Sequence, residues 1–250
     1  VVIPEKQRQN YTENIIYLPH SYQVNDDTRA ISERPMSRLE FGLPQKAFVF
    51  CCFNNNYKIS PQEFDIWMRL LNKVDGSVLW LLRSNKWTEI NLRKEAKKRG
   101  INSERLIFAN KLSQSEHLAR QRLANLFLDT FNVNAHTTAS DALWAGLPVV
   151  TKQGHGFAAR VAASLLTAVG LPELITDTEE DYEALALDLA THKLKLNALK
   201  QKLIKNRQTY PLFNTELFAR HLENAYEQAY ELYFENTPPK MITVNTKASP

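Results

Sequence analysis

The chain has 250 residues, with 31 Lys and Arg against 27 Asp and Glu and a formal net charge of +4. That length carries a sizeable core. The mixed charge lacks the basic stripe with interleaved aromatics that single-stranded nucleic acid requires, so no nucleic-acid partner is expected. No stretch approaches the ~20 apolar residues that span a bilayer. Cys51 and Cys52 lie side by side in an apolar run, which is no disulfide framework and fits buried thiols in a reducing compartment. No signal peptide is evident, so the expected location is cytoplasmic. Opening on Val1 rather than Met, the chain reads as a piece of something longer.

Ile15 to Leu18 is a short apolar strand candidate, followed by a polar segment from Pro19 to Pro35. Phe48 to Phe53 is a continuous apolar run before Asn54-Asn55-Asn56, the pattern of a strand covered on both faces. Ser60-Pro61-Gln62-Glu63 is a capping box with proline at the first helical position. Phe64, Trp67, Met68 and Leu71 recur behind it at helical spacing. Val78 to Leu82 is another buried strand, Thr88 to Arg99 a basic helix ended by Gly100, and Leu106 to Phe108 a further strand. Ser113 to Glu116 reads as a second capping box, which sets His117 and Arg120 on one helix face.

Leu126 to Leu128 then forms a strand that ends in polar residues. A helix opens on the two threonines Thr137 and Thr138 and stops at Gly146-Leu147-Pro148 before the strand Val149-Val150. Another helix begins near Ala158. The final third is helical over Glu179 to Thr191, Lys193 to Gln208 and Thr215 to Phe234, with a poorly ordered tail expected from Glu235 to Pro250. The basic stretches Lys86 to Arg99 and Lys193 to Arg207 alternate with apolar residues at helical spacing and read as solvated helix faces. Strands alternating with helices predict an α/β fold with a mostly parallel sheet and helices on both faces.

Such sheets bind ligands at the carboxyl ends of their strands. Lys58 follows a buried strand there and is placed to neutralise a diphosphate as a point charge; the alternative is a solvated turn lysine. His136-Thr137-Thr138 offers a ring nitrogen, two hydroxyls and the first amides of a helix, a seat for phosphate oxygens. The competing reading makes Thr138 a plain N-cap and Asp141 its capping-box partner. Asp141 is also placed to accept from a ribose hydroxyl. An imidazole at His117 can pack on a base and a guanidinium at Arg120 can donate to base edges, though both equally suit a surface helix. Gly156 permits close backbone approach of a ligand, and Arg160 is placed to tie the 154–160 loop down. The six histidines lack Cys or acidic neighbours at ligand spacing, so no metal site is expected. Only 7 glycines occur and no Gly-x-Gly-x-x-Gly, against the usual nicotinamide and NTP sites.

Taken together, Tyr17-Leu18-Pro19-His20-Ser21-Tyr22, Phe53-Asn54-Asn55-Asn56-Tyr57-Lys58, Glu116-His117-Leu118, Leu128-Asp129-Thr130, His136-Thr137-Thr138 with Asp141, and Pro211-Leu212-Phe213-Asn214-Thr215 carry a resemblance. In order and spacing, across roughly residues 15–235, the chain resembles the C-terminal part of the catalytic region of the protein O-linked N-acetylglucosamine transferases, in their bacterial and SPINDLY-like forms. The resemblance implies the Rossmann-like C-terminal lobe of a GT-B glycosyltransferase. It implies inverting, metal-independent transfer from a UDP-sugar to Ser or Thr hydroxyls of proteins, with the UDP-sugar as donor substrate and no cofactor. Residues 1–40 would lead in from an absent N-terminal lobe, 41–235 would form the nucleotide-sugar lobe, and 236–250 a flexible tail.

In that pattern Lys58 contacts the diphosphate and Asn55 stands where the family often has a glutamine near the donor. Thr137 and Thr138 receive the phosphates, His136 lines the donor pocket, His117 packs near the uracil, Arg120 faces the base and Asp141 takes the ribose. Gln114 stands where some relatives have a lysine to the ribose. Lys58 and His136 are the residues expected at the reacting end. The partners implied are a protein acceptor, the N-terminal lobe and tetratricopeptide repeats of the same polypeptide. Use of UDP-glucose or a GDP-sugar, or a non-catalytic binding role, are the alternatives.

Overall fold

A computed structural model describes residues 1–245 of the chain. In chain order the first elements are β1 (Ile16–Tyr17), β2 (Val49–Cys52), α1 (Pro61–Lys73), β3 (Val78–Leu82), α2 (Lys86–Lys98) and β4 (Leu106–Ala109). Next come α3 (Gln114–Gln121), β5 (Leu126–Leu128), α4 (Thr137–Ala145), β6 (Val149–Lys152), α5 (Val161–Ala168) and β7 (Ile175–Thr176). Helices α6 (Glu179–Thr191), α7 (Lys193–Thr209) and α8 (Thr215–Phe234) follow, and then β8 (Ile242–Thr243).

Six strands form one parallel sheet in the order β4-β3-β2-β5-β6-β7. Counted along the chain from β2, this is the doubly wound order in which the strands run outward in one direction and then the other. The reversal falls between β2 and β5, where Phe50 pairs with Leu126 and Cys51 with Phe127. Right-handed crossovers on the two sides of a reversal place helices on opposite faces of the sheet. Helix α1 packs on α6, while α3 packs on α4 and α4 on α5. The strands β2 and β5 are buried along their whole length, which is why they read as unbroken apolar runs rather than alternating ones.

Local signals hold where they were strong. Ser60 and Glu63 close the capping box at the start of α1, with the Ser60 N–H donating to Glu63 Oε1 at 2.6 Å. Gly146 ends α4 at φ 85°, and the Leu147 N–H returns to the Ala142 carbonyl at 2.8 Å, a left-handed stop that a Cβ would strain. At the start of α3, however, the Ser113 hydroxyl donates to Glu116 Oε2 at 2.9 Å, and no backbone N–H donates to it. Helix α2 starts two residues earlier than its spacing predicts, capped by Asn85, which accepts from the Thr88 N–H at 2.9 Å. Helix α5 starts at Val161, behind a short 3-10 turn over Phe157–Ala159.

Two segments differ from the sequence reading. Strand β1 lies outside the main sheet and pairs in parallel with β8, Ile16 beside Ile242 and Tyr17 beside Thr243. The stretch read as a poorly ordered tail thus includes a strand, and Ile242 and Val244 are buried with Ala225 of α8. Apolar burial at these alternate positions supplies the order that two prolines in the sequence obscure; residues 246–250 lie outside the described residues.

Candidate functional site

The strand order reverses where β2 and β5 end, and the chain sets three buried polar residues there, Asn54, Asp129 and Thr130. Buried polar groups need partners, and Asp129 gathers them. Its Oδ1 accepts from the Thr130 N–H at 2.8 Å, the Ala135 N–H at 2.6 Å and Asn54 Nδ2 at 3.2 Å. Its Oδ2 accepts from the Thr151 hydroxyl at 2.7 Å. Burial nevertheless pushes this carboxyl up to about 7. The Tyr182 hydroxyl of α6 donates to the Asp129 carbonyl at 3.0 Å and accepts from Trp67 Nε1 at 3.2 Å, so helices on one face brace the end of β5.

The loop from Asp129 to His136 is held rigidly by its own polar groups. Asn134 Nδ2 donates to the Thr130 carbonyl at 2.7 Å, and the Thr130 hydroxyl donates to the Val133 carbonyl at 2.7 Å. The Asn134 N–H donates to the Ala158 carbonyl at 2.9 Å, which ties this loop to the next one. That second loop is anchored by Arg160, whose Nη1 donates to the Gly154 carbonyl at 3.0 Å, as its position suggests. The close approach there is at Gly154, where a Cβ would lie 2.6 Å from Ala159 Cβ, whereas Gly156 has open space around it.

Helix α4 begins at the mouth of this construction. His136 takes the N-cap position and no side chain caps it; the Ala139 and Ser140 N–H groups both return to the His136 carbonyl at 3.1 Å. Among the described residues the Thr137 and Thr138 N–H groups have no acceptor, and they carry the positive end of the helix dipole. Thr137 is exposed. Thr138 is the second helical residue rather than the cap, and its hydroxyl donates to Asn54 Oδ1 at 2.5 Å. The N-cap reading of Thr138 and the capping-box reading of Asp141 therefore give way to tertiary bonds: Asp141 forms an ion pair with Arg29.

Lys58 reaches the same mouth from the other side of the reversal. Its Nζ donates to the Asn134 carbonyl at 2.9 Å, which among the described residues leaves two of three ammonium protons uncommitted. Partial burial, aided by the nearby Lys58 charge and opposed by the Ala158 carbonyl, holds His136 below the ordinary imidazole range. His136 Nε2 lies 3.3 Å from the Ala158 carbonyl. Lys58, His136, Thr137 and Thr138 are thus brought together by two loops and one helix end.

His117 and Arg120 stand on α3 beside the end of β2. The His117 ring lies 5.2 Å from the Phe53 ring, and Arg120 Nε donates to His117 Nδ1 at 3.0 Å. Burial and the neighbouring Arg120 charge push His117 down to about 4, so the ring is neutral at pH 7. Arg120 is only 1 % exposed. Its guanidinium stacks 5.1 Å from Phe53 and 5.9 Å from Trp80 and also donates to the Asn110 carbonyl. A basic residue read as facing outward is instead packed beneath His117. Asn55 is exposed and its Nδ2 donates to the Tyr57 hydroxyl at 3.2 Å; Gln114, the first residue of α3, is exposed as well.

Sequence reasoning assigned roles to the outer residues and none to the supports Asn54, Asp129 and Arg29, the first two appearing only inside longer motifs. The only local signal for the first two was their place immediately after buried strands. Among the described residues there is no group of three His, Cys, Asp or Glu side chains that could hold a metal ion, and no helix is long and apolar enough to cross a membrane. A cavity of about 560 Å³ lies elsewhere, between the first residues, Tyr17 to Tyr22 and α5, and none of the expected site residues lines it.

A doubly wound parallel sheet, with a helix N-terminus and a lysine converging at its reversal point, has the geometry that can receive an anionic ligand. The chain belongs to glycosyltransferase family 41, whose profile matches residues 31–222. It is similar to the probable UDP-N-acetylglucosamine–peptide N-acetylglucosaminyltransferase SEC of Arabidopsis thaliana, 38% identical over 250 aligned residues, 97% of this chain and 26% of that protein. It is also similar to the UDP-N-acetylglucosamine–peptide N-acetylglucosaminyltransferase of Caenorhabditis elegans, 38% identical over 84% of this chain and 18% of that protein. Among solved structures it resembles a mutant of the Thermobaculum terrenum O-GlcNAc transferase, with a TM-score of 0.76, 28% identity, and coverage of 91% of this chain and 43% of that one. The chain thus spans about a quarter or less of the length of these curated relatives. The likeness confirms the expected Rossmann-like lobe of a GT-B glycosyltransferase.

Proposed function

We propose that this chain is the donor-binding lobe of a protein O-linked N-acetylglucosamine transferase, taking UDP-N-acetylglucosamine for transfer to Ser or Thr hydroxyls of proteins. The observation that carries this reading is the convergence of Lys58, His136 and the unpaired Thr137 and Thr138 amides at the strand-order reversal, in a chain of this family. As the bond from the sugar to the β-phosphate breaks, negative charge grows on the departing diphosphate. Lys58, the α4 amides and the Thr137 hydroxyl are the preset donors that stabilise it without a metal. Thr138 holds the helix end in place through Asn54, and its amide faces the same anion.

His136, neutral and half-buried, lines the donor pocket. His117 offers a neutral ring face to the uracil, and Arg120 acts through it by fixing its tautomer and angle. Asp141 accepts from a ribose hydroxyl, and Asn55 and Gln114 edge the pocket. Residues 41–235 form this lobe. Residues 1–40 connect it to an N-terminal lobe that supplies the acceptor wall and the base, with tetratricopeptide repeats beyond. Orientation by that wall can account for ~7–11 kcal/mol of a transfer barrier, so this lobe alone binds donor and transfers little. The unpaired, buried Cys51 and Cys52 suit the reducing cytoplasm.

The test is calorimetric titration of the chain with UDP, UDP-N-acetylglucosamine and GDP, with and without magnesium. Saturable, metal-insensitive binding of the uridine ligands and none of GDP is the expected result. Binding of GDP instead assigns another donor, and binding of none overturns the donor-lobe reading of this chain.

A further inference from the structure

Asp141 is a problem for an anion site. It stands one turn into α4, three and four residues after Thr138 and Thr137, on the face that begins with them. A carboxylate there opposes any diphosphate seated on the helix end. Arg29 answers it. The Arg29 side chain is 9 % exposed and the Asp141 side chain 12 %, and Arg29 Nη1 donates to Asp141 Oδ1. Nη2 of the same fork lies 3.4 Å from the Ser140 hydroxyl, and Nε donates to the Asp26 carbonyl at 3.2 Å.

The arginine is itself held in place. Its carbonyl accepts from Trp144 Nε1 at 3.0 Å, and its guanidinium lies 5.7 Å from the Trp144 ring. The ring also carries Arg207 at 5.1 Å and touches Phe213 at 5.0 Å. Beside it, the Ser140 hydroxyl donates to Asn25 Oδ1 at 2.5 Å, and Asn25 Nδ2 donates to the Leu212 carbonyl at 3.3 Å. The segment from Asn25 to Arg29, part of the polar stretch before Pro35, is thereby seated against the helix that opens the site. Asp141 Oδ2 receives no hydrogen bond among the described residues.

We infer that Arg29 is a positioning residue of the donor site: it neutralises Asp141 and fixes its Oδ1, leaving Oδ2 to accept from the ribose without repelling the diphosphate. The inference rests on the donor-lobe reading and adds to it a residue from outside the sheet, more than a hundred positions before its partner. A buried carboxylate stripped of its partner is an uncompensated charge, and here that charge lies beside the anion seat.

The test is a set of variants of the 250-residue chain titrated with UDP and with uridine, which lacks the phosphates. Arg29→Gln is expected to weaken UDP about ten-fold or more and uridine, which shares the ribose contact but has no phosphate to repel, by a clearly smaller factor. Arg29→Lys, which keeps the charge, is expected to retain most UDP affinity. Adding Asp141→Asn to Arg29→Gln is expected to recover UDP affinity relative to Arg29→Gln alone, because the uncompensated charge is gone. If Arg29→Gln lowers the melting temperature but leaves both affinities unchanged, or lowers both equally, Arg29 is a structural tie only and the inference falls. Should Arg29→Gln fail to fold, Asp141→Asn decides: a gain in UDP affinity relative to uridine, as the freed Arg29 charge faces the diphosphate, supports the charge role, and an unchanged ratio of the two overturns it. Absence of UDP binding by the unsubstituted chain overturns the donor-lobe reading and this inference with it.

Discussion

Asn54 and Thr138 meet side chain to side chain across the strand-order reversal, the Thr138 hydroxyl donating to Asn54 Oδ1 at 2.5 Å. Asn54 in turn donates to the Thr130 hydroxyl at 2.8 Å and to Asp129 Oδ1 at 3.2 Å. The end of β2, the end of β5 and the start of α4 are therefore one polar unit, and the helix dipole is aimed by the sheet rather than by a cap.

Thr138→Val tests that unit with a substitution of nearly the same shape. It leaves the buried Asn54 Oδ1 without its donor, a loss of ~1–3 kcal/mol. Both the melting temperature and UDP affinity are expected to fall, since a loosened helix end no longer presents its amides in one place. A lower melting temperature with unchanged UDP affinity would confine the hydroxyl to a structural role.

Lys58→Ala separates charge from scaffold. The ammonium's single hydrogen bond among the described residues, to the Asn134 carbonyl, joins two loop segments already fixed by Asp129 and Asn134, so stability is expected to change little. Removing a charged donor from a phosphate costs ~1.5–3 kcal/mol, which is roughly ten-fold or more in affinity. UDP titration is expected to show that loss while uridine binding stays the same. Equal affinities of variant and parent for UDP would remove Lys58 from the site.

How much of this was legible in the sequence follows from range. Strands β2 and β5 declared themselves because burial on both faces writes an unbroken apolar run. Ser60 and Gly146 marked helix ends because their chemistry is local. The two residue pairs that join β1 to β8 leave no such trace: the partners are over two hundred positions apart and the ladder is two residues long. The same holds for Asp141, whose nearest carboxylate-satisfying candidate by local rules was the helix N-terminus, while its actual partner Arg29 lies 112 positions away. Arg120 misled for a different reason. A basic residue on a capped helix normally faces water, and only the aromatic faces of Phe53 and Trp80 with the Asn110 carbonyl make its burial tolerable.

The neutral state of His117 is itself a prediction. Arg120 donates to its Nδ1, so a proton on that nitrogen breaks the contact and adds a second buried charge. The folded value near 4 lies below the ordinary 6.5. Stability from this group is therefore full above 6.5 and is lost as pH falls through about 4. An NMR titration of the His117 ring is expected to show a midpoint near 4 and the proton on Nε2 at neutral pH. A midpoint at the ordinary value would mean that the ring is solvated and that Arg120 does not fix it.

Asp129 predicts the opposite slope. Burial raises its carboxyl from 3.8 to about 7, so the folded chain holds this proton more tightly than the unfolded one. Its contribution to stability is full below 3.8 and is lost as pH rises to about 7. The histidines pushed down by burial, His117 among them, pull the other way over part of this range, so the raw pH profile of the chain cannot isolate the carboxyl. Asp129→Asn can. The amide oxygen still accepts from the Thr130 and Ala135 N–H groups and from Asn54, and the amide nitrogen donates to a Thr151 hydroxyl that turns to accept. Melting temperatures of parent and variant are then measured together from pH 4 to pH 8. The parent is expected to lose ground to the variant steadily as pH rises to about 7 and to lose no more beyond it. A difference that stays constant across the range would show that Asp129 remains ionised throughout, held by its four donors against the cost of burial.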